Sequence, residues 1–163
     1  MEALGYAHEI CCQWGELTCS SDVHSGKLEV LAYVHANGCL WDKMTFSAVS
    51  GEFSKLDMLK YAHTNGYPWD EEICKEICEE AGEWGHFEIL KYTYDNGCPW
   101  NEHMCTKAAG NGHLKIQKYT HANGCPWDES TCTKSARCGY IEIDEWAHSH
   151  GCPWEHRAWW IAS

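Results

Sequence analysis

The sequence predicts an all-α fold, a solenoid of short helix-turn-helix units stacked side by side, and three observations predict it. Trp14, Trp41, Trp69, Trp100, Trp127 and Trp154 recur at spacings of 27, 28, 31, 27 and 27 residues. The words around them match: NGCLWD (37–42), NGYPWD (65–70), NGCPWN (96–101), NGCPWD (123–128) and HGCPWE (150–155). Between these words lie two apolar patterns of helical period, each too short to be stable as an isolated helix. Units that cannot stand alone draw their stability from stacking on neighbours, which defines a solenoid. The reading is one repeat domain over 1–163, with units 14–40, 41–68, 69–99, 100–126 and 127–153 and partial units 1–13 and 154–163.

The first helix of each unit opens at Asp42, Asp70, Asn101 or Asp128, residues whose side chains accept hydrogen bonds from the free N–H groups of a first turn. Acidic residues follow in most units, where the helix dipole favours them. Cys105, Ala108 and Ala109 fall on one face, and small side chains there let two backbones approach closely. A Gly at 26, 85, 112 or 139 then marks the stop, in the place of a left-handed residue after a helix.

The second helix carries Leu28, Leu31 and His35 on one face, with Val30, Tyr33 and Val34 beside them. Equivalent segments are SKLDMLKYAH (54–63), GHFEILKYTY (85–94), GHLKIQKYTH (112–121) and GYIEIDEWAH (139–148). Each ends at Asn-Gly or His-Gly, and in most units a Pro follows that cannot continue a helix.

Two departures stand out. The third unit holds extra residues within ICKEICEEAGEWGHF (73–87), which predicts a first helix longer by about one turn. Ile73, Cys74, Ile77, Cys78 and Ala81 then stay on one face. In the later second helices, Gln117 and Asp144 replace Leu31, Leu59 and Leu90, and a carboxylate in that row is costly unless paired or exposed. At the termini, Met1–His8 matches only a second helix and Glu155–Ser163 only the start of a first.

GHFEILKYTYDNGCPW (85–100) resembles the second half of an ankyrin repeat, and CTKAAGNGH (105–113) occupies the place of that family's first-helix segment. The Asn-Gly-Cys-Pro-Trp-Asp linker is similar to the short ankyrin-like repeats abundant in large DNA viruses and in some algae and oomycetes. The resemblance covers nearly the whole chain. The unit is shorter than the usual ankyrin repeat where the β-finger would lie, and Thr131-Cys132 stands where the family has Thr-Pro. We therefore expect helix pairs joined by tight loops with little or no strand. The resemblance implies a non-catalytic scaffold that binds a protein partner on its first-helix face and adjoining loops.

Composition narrows the function independently. The chain has 163 residues, 44% of them hydrophobic, with ten Trp and eight Tyr, ample for a packed core. A net charge of −12 argues against nucleic acid, whose binding needs clustered Lys and Arg. No apolar run approaches the roughly 20 residues of a membrane span. The opening residues lack the basic and apolar regions of a secretory signal. We expect a cytoplasmic, reducing setting, and therefore reduced thiols acting as small buried hydrophobes.

The chain's 12 Cys and 11 His raise metal chemistry. Two residues before each Trp stands Cys12, Cys39, Tyr67, Cys98, Cys125 or Cys152. Six before it stands His8, His35, His63, Tyr94, His121 or His148. Tyr replaces either partner where ligand chemistry would be strict. Equivalent Cys on successive helices are about 8–10 Å apart, too far to share a zinc whose thiolates lie within about 4 Å of each other. We expect the His to cover the linker, with the Trp as a lid beside it. Catalysis is not expected either: every Cys–His neighbourhood is copied several times, whereas a nucleophile needs one unique base. No catalytic, cofactor or metal residue is assigned.

Function is expected at positions that vary between units. Three residues after the Trp these are Leu17, Met44, Glu72, His103 and Ser130. Near the end of the first helix they include His24, Ser25, Asn111 and Arg137. The third unit adds Glu79, Glu80, Glu83 and the unrepeated Trp84, either a binding hot spot or a cap on its own helix. The expected contact set is Met44, Glu72, Glu80, Trp84, His103, Asn111, Ser130 and Arg137, facing a protein with a basic or mixed surface. Ordinary solvent-facing variation is the plain alternative for each of them. Alternatives for the chain are a zinc-binding or redox-sensing cysteine-rich protein, or a fragment of a larger adaptor.

Overall fold

The structure, a computed structural model, describes residues 27–38 and 56–153. Among the described residues every regular element is a helix. The chain divides into two compact units, 1–69 and 70–163, a division that falls at the junction before the third sequence unit.

In the first compact unit, α1 (Leu28–Ala36) and α2 (Leu56–Thr64) are second helices of successive sequence units, and they pack on each other. Val30, Leu31 and Val34 of α1 are buried, as are Met58, Leu59 and Ala62 of α2. His35 meets the next unit's Tyr61 edge-on, with Nδ1 3.3 Å from the phenol oxygen.

The second compact unit contains α3 (Glu71–Trp84), α4 (Phe87–Asp95), α5 (Glu102–Gly110), α6 (Leu114–Ala122), α7 (Glu129–Arg137) and α8 (Ile141–Ser149). Each first helix packs on the second helix that follows it, giving the pairs α3–α4, α5–α6 and α7–α8. The first helices α3, α5 and α7 also form a row, and α6 touches α8. The caps are those expected. Asp70, Asn101 and Asp128 each accept a hydrogen bond from the backbone N–H three residues on, at 2.9, 2.8 and 3.0 Å. As the extra residues require, α3 runs 14 residues against nine for α5 and α7, and it buries Cys74, Ile77, Cys78 and Ala81 along one face.

The described linkers share one build, with His150 in the place of Asn in the last, its Nδ1 2.7 Å from the Trp146 carbonyl. Asn37, Asn65, Asn96 and Asn123 each donate a side-chain N–H to the carbonyl four residues back, at 2.8 Å. The Gly that follows takes a left-handed backbone, and the next amide returns to the carbonyl five residues earlier: Cys98 to Thr93 at 3.0 Å, Cys125 to Thr120 at 2.9 Å. This is the six-to-one closure of a Schellman turn.

The cysteines require a correction. They were expected to be reduced, yet Cys74–Cys98, Cys105–Cys125 and Cys132–Cys152 are disulfides, with Cα separations of 5.2, 7.5 and 6.6 Å. These separations lie within, or in one case just beyond, the range a bridge spans without backbone movement. Each bridge joins the first helix of a unit to the linker that ends the same unit. Among the described residues Cys78 and Cys138 are free. Cys78 is buried against Thr93, with Sγ 3.4 Å from the hydroxyl, and burial pushes its thiol up to about 11.

The replaced leucines behave differently from each other. Gln117 is fully buried, and its amide donates to the Cys105 carbonyl. Asp144 is half-buried, and one of its oxygens is buried with no hydrogen-bond partner among the described residues.

Two predictions follow from this packing. Gly112 has φ of +82°, and a Cβ there would lie 2.5 Å from the Tyr140 ring, whereas Gly124 at +81° has open space around it. Gly124→Ala should cost about 1–2 kcal/mol for the left-handed backbone. Gly112→Ala should cost more in urea unfolding, because the ring must also move. For Asp144, burial raises the carboxyl above its ordinary 3.8, with His148 opposing and Glu145 adding to the shift. The folded chain therefore binds this proton more tightly, and the group subtracts stability as pH rises past 3.8. Asp144→Asn should stabilise the protein at pH 7, and the gain should shrink as the pH falls through the carboxylate range.

Candidate functional site

The variable positions fall at the two ends of the row of first helices. Glu72, His103 and Ser130 occupy the first turns of α3, α5 and α7, one per helix, and all three are exposed. Trp84, Asn111 and Arg137 lie at or just beyond the last turns, with Glu80 one turn before. The contact set therefore separates into two clusters. Met44 lies outside the described residues.

Beside the first turns an open groove of about 380 Å³ is lined by Glu71, Lys75, Pro99, Trp100, Asn101, Glu102, His103 and Pro126. Its walls come from two helix starts and two linkers. Trp100 is held in place by Tyr94, stacked at 4.0 Å, and by Tyr119 edge-on at 5.8 Å. Two carboxylates, Glu71 and Glu102, the Lys75 ammonium and the His103 imidazole share this lining with Trp100 and two prolines. Of the expected residues only His103 lines it. Pro99, Trp100 and Pro126 were read as framework, because they recur in the repeat.

Ser130 is tied into the chain itself. Its hydroxyl donates to the Asp128 carboxylate, at 2.7 and 2.6 Å to the two oxygens, and lies 3.2 Å from the Thr106 hydroxyl of α5. Burial alone would raise the Asp128 carboxyl, but the hydrogen bonds from Ser130 and Thr131 outweigh it and hold the carboxyl below its ordinary value.

At the opposite end Trp84 is 43% exposed, and its indole N–H donates to the Glu80 side chain one turn back at 3.0 Å, while the helix is capped by the left-handed Gly85. Lys107 of α5 reaches Glu83 at 2.9 Å and Glu79 at 3.6 Å. Burial would lower this ammonium, but the hydrogen bond and charge of Glu83, with Glu79 and Glu80, raise it instead. His113 Nε2 sits 2.9 Å from the Glu83 carbonyl, and the ring lies over Gly85. Asn111 donates to the Lys107 carbonyl at 2.9 Å, and Arg137 is exposed.

Two histidines of the repeat lie against tryptophans, His63 stacked and His121 tilted. His63 lies on Trp69 at 4.1 Å and His121 on Trp127 at 4.3 Å, in the same arrangement as Tyr94 on Trp100. Among the described residues no three His, Cys, Asp or Glu side chains converge in a way that could hold a metal ion.

Sequence reading missed the disulfides, although a signal was present. Cys19 and Cys39 are 20 residues apart, as are Cys105–Cys125 and Cys132–Cys152, while Cys74–Cys98 is 24 apart because the extra residues fall between them. In the one full unit that lacks the linker Cys, which has Tyr67, the helix Cys is missing as well, replaced by Phe46. Paired loss marks paired residues.

Scanning protein-family models and curated protein sequences gave no match to this chain.

If stacking is what position 121 requires, His121→Tyr should leave the urea midpoint nearly unchanged, because Tyr94 already makes the same stack. His121→Ala should lower stability by about 1 kcal/mol. Equal losses in both variants would show that the ring's nitrogens matter more than its face.

Proposed function

We infer that the chain is a non-catalytic scaffold, an ankyrin-like solenoid whose first-turn rim and adjoining groove dock a protein with a basic or mixed surface. One observation carries this reading. Glu72, His103 and Ser130, at the same register of successive units, are all exposed on neighbouring helices, beside a groove that Pro99, Trp100 and Pro126 help to line. A recurring framework with different side chains along one rim is how repeat proteins encode a partner. The net charge of −12 and the carboxylates of Glu71 and Glu102 favour cationic contacts.

The setting needs restating. Among the described residues no helix is long and apolar enough to cross a membrane. Disulfides do not persist in steadily reducing surroundings, so three of them favour an oxidising or redox-variable environment over the cytoplasmic one expected from sequence.

The test is capture of partners on the full chain, followed by calorimetry with whatever protein is captured. Glu71→Lys combined with Glu102→Lys should weaken binding at least about tenfold by reversing the groove's acidic walls. Glu145→Lys, on the exposed side of α8, should not. Trp84→Ala reports on the other end of the row: lost binding extends the contact face there, and unchanged binding confines it to the first-turn rim. Binding that ignores the groove variant would overturn the reading.

A further inference from the structure

The groove stands directly on two of the disulfides. Lys75 follows Cys74, Pro99 follows Cys98 and Pro126 follows Cys125, while His103 lies two residues before Cys105. Cys74–Cys98 ties α3, which carries Glu71 and Lys75, to the linker that carries Pro99 and Trp100. Cys105–Cys125 ties α5, which carries His103, to the linker that carries Pro126. The walls of the groove are thus cross-linked to one another through sulfur.

We propose that these cysteine pairs are thiol–disulfide latches that set how firmly the groove is held, so that the redox state of the surroundings regulates docking there. The proposal rests on the groove being the docking site. Three further observations support a latch over a permanent staple. First, the linker keeps a fold without the bridge: Tyr67, in the unit lacking both cysteines, is buried and its amide still returns to Ala62 at 3.0 Å. Second, the linker sulfurs have an alternative partner. Cys125 Sγ lies 3.7 Å from the Asn101 carbonyl and Cys152 Sγ 3.8 Å from that of Asp128, so a reduced thiol can donate to the cap residue of its own unit's first helix. Third, Cys78, the free thiol near the Cys74 bridge, is buried and poorly ionised, which keeps it from competing in exchange.

The chemistry is ordinary thiol exchange with a low-molecular-weight thiol. Its thiolate attacks the sulfur of Cys125, a residue 6% exposed where Cys105 is fully buried, forming a mixed disulfide and releasing the Cys105 thiolate. A second small thiolate then cleaves the mixed disulfide. Two small thiols supply two electrons and two protons, giving one small-molecule disulfide and two protein thiols. A small-molecule disulfide drives the reverse.

The test needs no partner. Hydrogen exchange is measured on the full chain equilibrated in oxidised or reduced glutathione, with alkylation and peptide mapping to identify the pairs. On reduction the amides of Cys98 and Cys125 should exchange at least about tenfold faster, while the Tyr67 amide, whose unit has no pair to break, should not change. Cys105→Phe with Cys125→Tyr, which copies Phe46 and Tyr67, should make exchange at position 125 independent of redox state. If that variant does not fold, Cys105→Ser with Cys125→Ser should exchange like the reduced protein in either buffer. Equal exchange at Cys98 and Cys125 in both buffers, an equal change at Tyr67, or pairs other than 74–98, 105–125 and 132–152 would overturn the latch. Because exchange is read without a partner, failure of the latch leaves the docking reading intact, whereas failure of docking would remove the regulatory role and leave only a redox-dependent groove.

Discussion

The short linker that closes each unit is the constraint on which the described structure depends. Helices of nine residues have little stability alone, so their placement has to come from outside the helix. The linker supplies it at three points. The Asn-Gly turn and the following amide lock the end of the second helix, the next side chain fastens the linker to the first helix, and the Trp ring packs on the aromatic residue six positions before it. Asp or Asn then starts the next helix. The middle attachment has two chemical solutions here. A bridge closing a loop of this length contributes about 3 kcal/mol on the chain-entropy account. Burying a large side chain such as Tyr67 gains about 1.5–3 kcal/mol, so a ring can stand in for a covalent bond at similar strength.

The same argument explains why His gives way to Tyr at position 94. What the position supplies is a flat ring over the Trp, and imidazole and phenol both provide one. The next unit adds a third ring, Tyr119 against Trp100 and Trp146 against Trp127 at 5.3 Å, so the aromatic contacts run from unit to unit. There is an opposing cost. The indole N–H groups of Trp100 and Trp127 are buried without an acceptor among the described residues, a penalty of about 1–3 kcal/mol each. The apolar area of the ring and its two aromatic contacts must exceed that penalty for the Trp to be kept as the lid.

Local features were legible in the sequence because they depend on neighbours in the chain. The caps at Asp70, Asn101 and Asp128, the left-handed glycines and the longer α3 all follow from residues within a turn or two of each other. The disulfides were not legible by the same route. Testing Cys against its equivalent in the next unit asks about helices a full stacking distance apart, whereas the bonded partner is the other Cys of the same unit, 20 or 24 residues along the chain. The pairing of Gln117 was not legible for a related reason: the Cys105 carbonyl that accepts its amide is invisible until α5 and α6 are placed together. The contact set could be read as a register, but not as two clusters, because the ends of a helix separate in space what a register treats as one surface.

Comparing successive junctions shows why a groove opens beside α3 and α5. The residues equivalent to Lys75 and His103 at the next junction are Thr106 and Ser130. There the two hydroxyls lie 3.2 Å apart, Thr106 also lies 3.3 Å from the Thr131 hydroxyl, and Ser130 and Thr131 both donate to Asp128. That junction satisfies its own polar groups. The junction carrying Lys75 and His103 instead sets long cationic and imidazole side chains among Glu71, Glu102 and Asn101 around an open space. A repeat keeps its framework constant, so the difference between the two junctions lies in the few side chains that vary. Where those side chains satisfy one another the surface is finished, and where they line a groove instead, a partner's groups can complete it. By that criterion the Ser130 hydroxyl is already engaged by Asp128 and Thr106, while the His103 side chain lines the open groove.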